Sequence, residues 1–432
     1  MRCPDELSDG ICGLQIQGEV MKSSTGRWVS GDDFHDRKEE LALLESRVRD
    51  GNHMVLTGQR RMGKTSVLRE LGDRLNEEGW VFLFADVEGA TTEEDVIASL
   101  AEAVHAIRPI ARLVSPIGMR RWFRDRFRSI DRISAKEFAL HFRSKLNPGT
   151  WRRHGERLIS LCAKHDKPVL IVIDEMPIFL VRLLSYEDGV RRTDEFLSWL
   201  RAVFQTVDGR YPVLIVSGSI GLAPLVQRLG LSDRINYLDP IRLLPWSRED
   251  SIECFEVLAK SYGLSVDDGV ASSVYEHLGI GIPQHVQSFF ARLREYAIMR
   301  NLDRIRVRDV AEVYRTELLG PSGQNDLAHY ETRLREGLGD EGRFGLAMEI
   351  LAEAATQEVF SADARRALEK RHSRVKSDVQ RQVTETLDIL VHDGYLELRD
   401  DGHRFESNLV RDWWATRFRN HHRPLTMDVV NS

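Results

Sequence analysis

The chain has 432 residues, of which 42% are hydrophobic and 30% are charged, and its formal net charge is -6. This composition is typical of a globular protein, and the length exceeds one ordinary hydrophobic core, so we expect two or three domains. The negative net charge excludes a general polyanion-binding protein. Any contact with nucleic acid must therefore come from local basic patches.

The cysteines and the apolar runs indicate a cytoplasmic protein. The four cysteines are scattered and show no metal-binding spacing, which argues against a zinc site or a disulfide framework. No apolar run reaches the roughly 18 residues needed to span a bilayer, and the N-terminus lacks the pattern of a signal peptide. We therefore expect no membrane contact. Residues 1–29 are polar and without periodicity, and we predict a flexible N-terminal arm there.

A glycine-rich loop follows the first apolar strand, at residues 53–57, and precedes a helical pattern. It has the complete GxxxxGK[ST] phosphate-loop pattern in the context that the pattern requires. Backbone N–H groups of such a loop and the following helix N-terminus bind phosphates. We predict that Lys64 reaches the β- and γ-phosphates of ATP and that Thr65 binds Mg²⁺. The predicted nucleotide-binding residues are Gly58, Gln59, Arg60, Arg61, Met62, Gly63, Lys64, Thr65 and Ser66.

A second apolar run, residues 168–173, ends in Asp174 and Glu175. An unbroken apolar run of this length is typical of a parallel strand buried on both faces, which delivers acids at its carboxyl end. We predict that Asp174 helps to hold Mg²⁺ and that Glu175 polarises the water that attacks the γ-phosphate.

Two more apolar strands complete the predicted sheet. One, residues 80–86, lies between the two motifs, and the other, residues 212–217, follows the acidic strand. This order is typical of the additional-strand ATPases. In their sheet, the strand that follows the acidic strand in sequence lies between the phosphate-loop strand and the acidic strand. Ser217 and Ser219 are then candidate sensors of the γ-phosphate, or alternatively capping or turn residues. We also predict a short edge strand at residues 135–142.

Together these motifs resemble the predicted archaeal-type ATPase family, which belongs to the STAND group of AAA+-related ATPases, near the origin-recognition ATPases. The resemblance covers residues 30 to about 320 and includes residues 34–41, the phosphate loop, the acidic strand and residues 217–222. In the family, a segment F-x-G-R-x-x-E-L helps to seat the adenine, and this chain has Asp36 in place of the glycine. The resemblance implies a P-loop, additional-strand α/β sheet that binds and hydrolyses Mg-ATP.

A G-x-P signature follows in the predicted helical region. Gly281-Ile282-Pro283 matches the signature that STAND proteins carry behind the sheet, and the resemblance implies that Gly281 and Pro283 approach the nucleotide. Without the resemblance, these residues predict an ordinary helix-start turn. We predict a P-loop domain at residues 30–245 and a helical lid at 246–320. The Gly-Pro-Ser-Gly sequence at residues 320–323 breaks the helical pattern and marks the end of the lid.

The sequence pattern after residue 324 predicts a winged-helix domain at residues 325–420, with three helices and a β-hairpin. A tail follows at residues 421–432. Basic residues precede and open the third helix, where such domains contact DNA phosphates. Acidic residues follow closely, so the same surface is alternatively a protein-binding one. The DNA-binding candidates are Arg371, Arg374, Lys376 and Arg381.

These features predict a Mg-ATP-dependent ATPase that hydrolyses slowly and acts as a nucleotide-controlled switch, with double-stranded DNA bound by the winged helix. Arg234, after the sensor strand, is a candidate charge-neutralising arginine, in cis or across a subunit boundary. The alternative is a STAND-type signalling or defence ATPase whose winged helix binds a protein partner or a second copy of the chain.

Overall fold

The computed structural model describes residues 21–24, 26–105, 134–206, 209–373 and 378–427. Of the predicted DNA-binding residues, Arg374 and Lys376 lie outside the described residues, as does most of the predicted N-terminal arm. No helix in these ranges is both long enough and apolar enough to cross a membrane.

A five-stranded parallel sheet forms the first half of the chain, with the strand order β2-β3-β4-β1-β5. Helices cover both of its faces, as expected for strands that are buried on both sides. The strands are β1 (Met54–Thr57), β2 (Val81–Asp86), β3 (Val169–Asp174), β4 (Val213–Ser217) and β5 (Asp239–Arg242). The helices are α1 (Lys38–Arg49), α2 (Lys64–Glu77), α3 (Glu93–His105), α4 (Ala135–Arg143), α5 (Trp151–Ala163), α6 (Met176–Leu184), α7 (Gly189–Gln205) and α8 (Leu222–Arg228).

The strand order confirms the predicted α/β class and places β4 between the phosphate-loop strand and the acidic strand. Successive residues of β1 face opposite sides, so Val55 packs in one hydrophobic layer and Met54 and Leu56 pack in the other. Because all five strands are parallel, their carboxyl ends lie along one edge. The loops that follow β1, β3 and β4 meet there.

The prediction of an edge strand at residues 135–142 was wrong, because this segment is helix α4. Ser134 and Glu137 form a capping box, in which each side chain accepts a hydrogen bond from the other residue's backbone N–H. Phe138 and Phe142 are four residues apart and both are buried, which is the spacing of one helical face.

The second half of the chain is helical apart from one hairpin. Its helices are α9 (Arg248–Ser261), α10 (Val270–Leu278), α11 (Pro283–Arg300), α12 (Val307–Val313), α13 (Pro321–Leu338), α14 (Glu341–Thr356), α15 (Ala362–Ser373), α16 (Val379–His392) and α17 (Asn408–Phe418). A π-helical turn, Tyr314–Leu318, immediately precedes α13. The antiparallel strands β6 (Leu396–Arg399) and β7 (Gly402–Phe405) lie between α16 and α17.

One hydrophobic core joins the lid helices to the C-terminal helices. It contains Phe289 and Phe290 of α11, Leu334 of α13, and the fully buried Trp413 and Trp414 of α17. The glycines and proline at residues 320–323 therefore do not separate two cores, and Pro321 begins helix α13. A proline in the first helical turn costs no hydrogen bond, because that N–H has no partner within the helix. We refer to residues 321–427 as the C-terminal unit.

The C-terminal unit contacts the phosphate loop through a half-buried histidine, His329. The Arg61 guanidinium donates a hydrogen bond to the His329 ring at 2.7 Å, and its other end reaches the Asp326 carbonyl at 2.9 Å. In the same region His285 of α11 lies 3.0 Å from the Tyr330 hydroxyl. Burial, aided by the charge of Arg61, lowers the pKa of His329 to about 2 and that of His285 to about 3. Both imidazoles are therefore neutral in the folded protein.

We expect the free energy of unfolding to fall as the pH is lowered from about 6.5 towards 3. The unfolded chain protonates His285 and His329 near pH 6.5, whereas the folded chain does not, so each contributes a slope of about 1.4 kcal/mol per pH unit. Urea unfolding at pH 7, 6 and 5 measures this slope. The double variant His285→Gln/His329→Gln should flatten it. An unchanged slope in the double variant would contradict the assignment.

Gly281, just before helix α11, makes a close backbone contact with Trp246, in the segment between β5 and α9. Its carbonyl accepts a hydrogen bond from Trp246 N at 2.8 Å, and a Cβ added to Gly281 would lie 2.3 Å from the Trp246 carbonyl oxygen. We expect Gly281→Ala to lower the free energy of unfolding by about 2 kcal/mol, because the backbone must move to relieve the overlap. Chemical denaturation measures the loss. In the control Gly345→Ala, an added Cβ meets no atom within 4 Å in helix α14, and the change should stabilise by about 0.5–1 kcal/mol.

Candidate functional site

The phosphate loop connects β1 to α2 and depends on two glycines with positive φ. Gly58 has φ 148°, and a Cβ there would lie 2.8 Å from the Leu243 carbonyl oxygen. Gly63 has φ 83° and is the N-cap residue of α2. A residue with a side chain would be strained at both positions. The loop backbone therefore curls around the N-terminus of α2, where N–H groups lack partners within the helix.

Lys64 is buried at the start of α2, and its Nζ points back into the loop. The amine donates hydrogen bonds to the carbonyls of Gly58 at 2.8 Å and Gln59 at 2.9 Å. Burial lowers the pKa of Lys64, while the charges of Glu175 and Asp174 oppose this shift. The ammonium is thus poorly compensated by protein groups, and a phosphate oxygen would provide the missing negative charge.

Asp174 is the buried end of β3 and holds three loops together. Its Oδ2 accepts a hydrogen bond from Thr65 Oγ1 at 2.7 Å, and its Oδ1 accepts from Ser217 Oγ and from Glu175 N. The predicted metal residues Thr65 and Asp174 are therefore adjacent. A hydroxyl and one carboxylate are hard oxygen ligands of the kind that Mg²⁺ uses together with substrate phosphates, and these residues fit that ion. Among the described residues, no group of three or more His, Cys, Asp or Glu side chains has the arrangement of a metal site.

Glu175 has an unusual backbone conformation for a residue with a side chain, with φ 59°. Its Oε2 accepts hydrogen bonds from both the N and the Oγ of Ser219 at 2.9 Å. Burial raises the pKa of Glu175, and the neighbouring Asp174 raises it further, while the bonds from Ser219 oppose the shift. Each serine that was predicted as a sensor thus contacts one of the two acids. A strained, desolvated carboxylate in a cleft is characteristic of functional sites.

A cavity of about 540 Å³ extends from these groups towards the lid. Lys64, Thr65, Glu175 and Ser219 line one end of it. At the other end the walls are aromatic or belong to the lid, where Pro283 is the first residue of α11. The lining residues there are Trp28, Phe34, His35, Trp246, Pro283, Gln284 and Gln287. Gly281 does not line the cavity, and it contacts Trp246 instead.

The segment before β1 also reaches this cavity. Asp36 has φ 56°, so the aspartate adopts the left-handed conformation that a glycine would provide at this position. The buried Arg37 guanidinium donates to the Leu244 carbonyl at 2.6 Å and lies over the Trp246 ring. The substitution of the usual glycine is therefore accommodated locally.

Sequence reasoning missed Trp28 and Arg333, both of which line the cavity. Trp28 lies in the predicted arm, and its ring stacks under the Arg69 guanidinium at 4.3 Å. The backbone around it is held by side chains, since Val29 N donates to Ser66 Oγ at 3.1 Å. Arg333 comes from helix α13, far along the chain. Neither residue belongs to a local motif, so the sequence carries no signal for its position.

Other predicted residues lie away from the cavity. Arg234 does not line it and instead pairs with Asp194 at 2.6 Å and with Asp233. Of the predicted DNA-binding residues that the structure describes, Arg371 pairs with Glu349 at 2.9 Å. Arg381 pairs with Asp378 at 2.5 Å and lies 3.6 Å from Glu385.

Comparison with known proteins agrees with this geometry. Residues 35–216 match the family described as the AAA ATPase domain. The Walker-type ATPase paby2304 of Pyrococcus abyssi has a similar structure, with a TM-score of 0.57 and 18% sequence identity over 90% of this chain and 99% of that chain. The ORC2 protein of Aeropyrum pernix, solved as ADPNP–ADP complexes, gives a TM-score of 0.54 and 15% identity over 92% of this chain and 96% of that chain. No curated protein matches the chain.

The phosphate loop, the buried acid pair, the strand order and the matched domain lead to one assignment. The chain is an ATPase with the P-loop AAA+ fold, and its residues 35–216 match the AAA ATPase domain.

Proposed function

We propose that the chain binds Mg-ATP in the cavity beside Lys64, hydrolyses it slowly, and acts as a switch whose C-terminal unit responds to the nucleotide. The observation that carries this proposal is that the C-terminal unit touches the phosphate loop itself. Gln59 Nε2 donates a hydrogen bond to Glu406, and a Cβ at Gly394 would overlap the Gln59 side chain. The loop cannot rearrange around phosphates without affecting these contacts.

The proposed roles follow from the positions of the side chains. Lys64 and the loop N–H groups bind the phosphates, and Thr65 and Asp174 hold Mg²⁺. When bound, Mg²⁺ neutralises charge on the phosphate oxygens. Glu175 takes a proton from the water that attacks the γ-phosphorus, while the bond to the bridging oxygen breaks and ADP leaves. A raised pKa makes a carboxylate a better base for this step. Ser219 orients Glu175, and Ser217 orients Asp174.

The aromatic end of the cavity, next to the lid, fits the planar ring of a nucleotide base. Trp28, Phe34 and Trp246 provide aromatic surface, and Pro283 brings the lid to the same space. Aromatic and apolar walls with a few polar groups are the usual lining of small-molecule sites. Pro283 therefore supports the proposed approach of the G-x-P segment to the nucleotide. We further propose a cytoplasmic location, which the scattered cysteines support.

DNA binding by the C-terminal unit is a second proposal. The order α14, α15, α16, β6, β7 and α17 supports a winged helix, and Arg371 and Arg381 are exposed near the start of α16. Because both arginines pair with carboxylates, phosphates would have to compete with Glu349 and Asp378. The alternative is that this surface binds a protein partner or a second copy of the chain.

We expect Lys64→Ala to weaken ATP binding by about 10- to 100-fold, because a charge-assisted hydrogen bond to the phosphates is lost. Glu175→Gln should bind ATP normally and lower turnover by about 10²- to 10⁴-fold, because only the base is removed. Calorimetry and phosphate release measure the two effects. Lys260→Ala and Glu256→Gln, both exposed on α9, are the matched controls. Wild-type turnover in Glu175→Gln would remove Glu175 from the mechanism.

If the C-terminal unit binds DNA, replacing Arg371, Arg374, Lys376 and Arg381 with alanine should weaken binding similarly for all sequences. Each lost phosphate contact lowers the slope of log K against log salt by about 0.9. Fluorescence anisotropy with labelled duplex, with ATP, with ADP and without nucleotide, measures both quantities. As a control for net charge, Arg294, Arg300, Arg304 and Arg308 of the lid are replaced instead. Absence of salt-sensitive binding by the wild type in all three conditions would favour the protein-partner alternative.

A further inference from the structure

Arg333 of helix α13 is a charged side chain at the phosphate end of the cavity that the proposed mechanism does not use. It lines the cavity together with Arg60, Glu88, Glu175 and Ser219. Its side chain is only 14% exposed, and its guanidinium pairs with Glu88 and, at 2.7 Å, with Glu336. Glu88 follows strand β2, so this ion pair connects α13 to the edge of the sheet where the acids lie.

A second guanidinium faces the same space. Arg60, in the phosphate loop, is half-buried, and its buried Nη1 has no hydrogen-bond partner among the described residues. Burial lowers the pKa of Arg60, and the positive charge of Arg333 lowers it further. Two guanidinium groups line this end of the cavity, and one of them has an Nη1 without a hydrogen-bond partner among the described residues, so a multiply charged anion would suit this space.

The backbone of α13 connects this site to the rest of the C-terminal unit. One turn before Arg333, His329 contacts Arg61, and the Tyr330 carbonyl accepts a hydrogen bond from the Tyr395 hydroxyl at 2.7 Å. At the end of the helix, Arg228 donates to the carbonyls of Gly337 and Leu338 at 3.2 Å. A displacement of Arg333 would therefore be transmitted to the hairpin through Tyr395 and to helix α8 through Arg228.

We propose that Arg333 binds the terminal phosphate of a nucleoside triphosphate, exchanging its ion pair with Glu88 for the γ-phosphate oxygens. The inference rests on the proposed ATP site and identifies the residue through which α13 distinguishes triphosphate from diphosphate. Arginine suits this task because its fork of N–H donors matches phosphate oxygens. Arg333 thus takes the charge-neutralising role that the sequence suggested for Arg234.

Calorimetric titration with ADP and with the triphosphate analogue that has an imido bridge between its β- and γ-phosphates tests the proposal in the full chain. Arg333→Ala should lower affinity for the analogue at least about tenfold and leave affinity for ADP within about twofold, because only the analogue has a γ-phosphate. The matched control is Arg335→Ala on the same helix, whose guanidinium pairs with Glu341 and lies over Phe344. It should change neither affinity.

Two further variants preserve more of the local packing. Arg333→Lys retains the charge but not the fork and should give an intermediate loss for the analogue. Glu88→Gln removes the competing carboxylate and should raise affinity for the analogue several-fold without changing that for ADP. An unchanged ratio of analogue to ADP affinity in both Arg333→Lys and Glu88→Gln overturns the inference. If the wild type binds neither nucleotide, the proposed ATP site itself fails, and this outcome is distinct from an unchanged ratio.

Discussion

The buried carboxylate of Asp174 is the interaction on which the site depends. A carboxylate that is 4% exposed must be compensated by hydrogen bonds, and here the donors come from three segments, Thr65 after the phosphate loop, Ser217 at the end of β4, and the backbone of Glu175. The bonds from Thr65 and Ser217 exist only if β4 pairs with both β1 and β3 in the observed register. One buried charge therefore couples the strand order to the positions of the proposed metal ligands.

Helix α13 extends this coupling beyond the sheet. It runs past the phosphate loop at Arg61, past the loop after β2 at Glu88, and ends near Arg228 of α8. Its other side contributes Leu327, Leu334 and Leu338 to the core shared with the lid. A close-packed core transmits displacement, and the proposed nucleotide switch would use these contacts and this shared core.

The parts of this architecture that the sequence predicted are those encoded by short, local patterns. The phosphate loop, the acid pair and the order of the strands follow from apolar runs and glycine positions within a few residues of one another. Segment 135–142 was predicted incorrectly, because Phe138, Leu140 and Phe142 alternate with other residues as in a strand. The capping box formed by Ser134 and Glu137 stabilises the start of a helix instead. The roles of Trp28 and Arg333 could not be predicted, because each acts through a contact with residues distant in the chain. Local periodicity contains no information about such contacts.

The C-terminal surface and the proposed ATP site differ in how far their positive charges are already paired within the chain. At the proposed ATP site, Lys64 and Arg60 line a cavity, and Arg60 Nη1 has no hydrogen-bond partner among the described residues. A ligand of opposite charge is then the simplest completion of the site. Near α16, by contrast, Arg371 and Arg381 already have carboxylate partners within the chain. Exposed pairs of this kind are individually weak, so a phosphate backbone and an acidic protein surface would both be able to displace them.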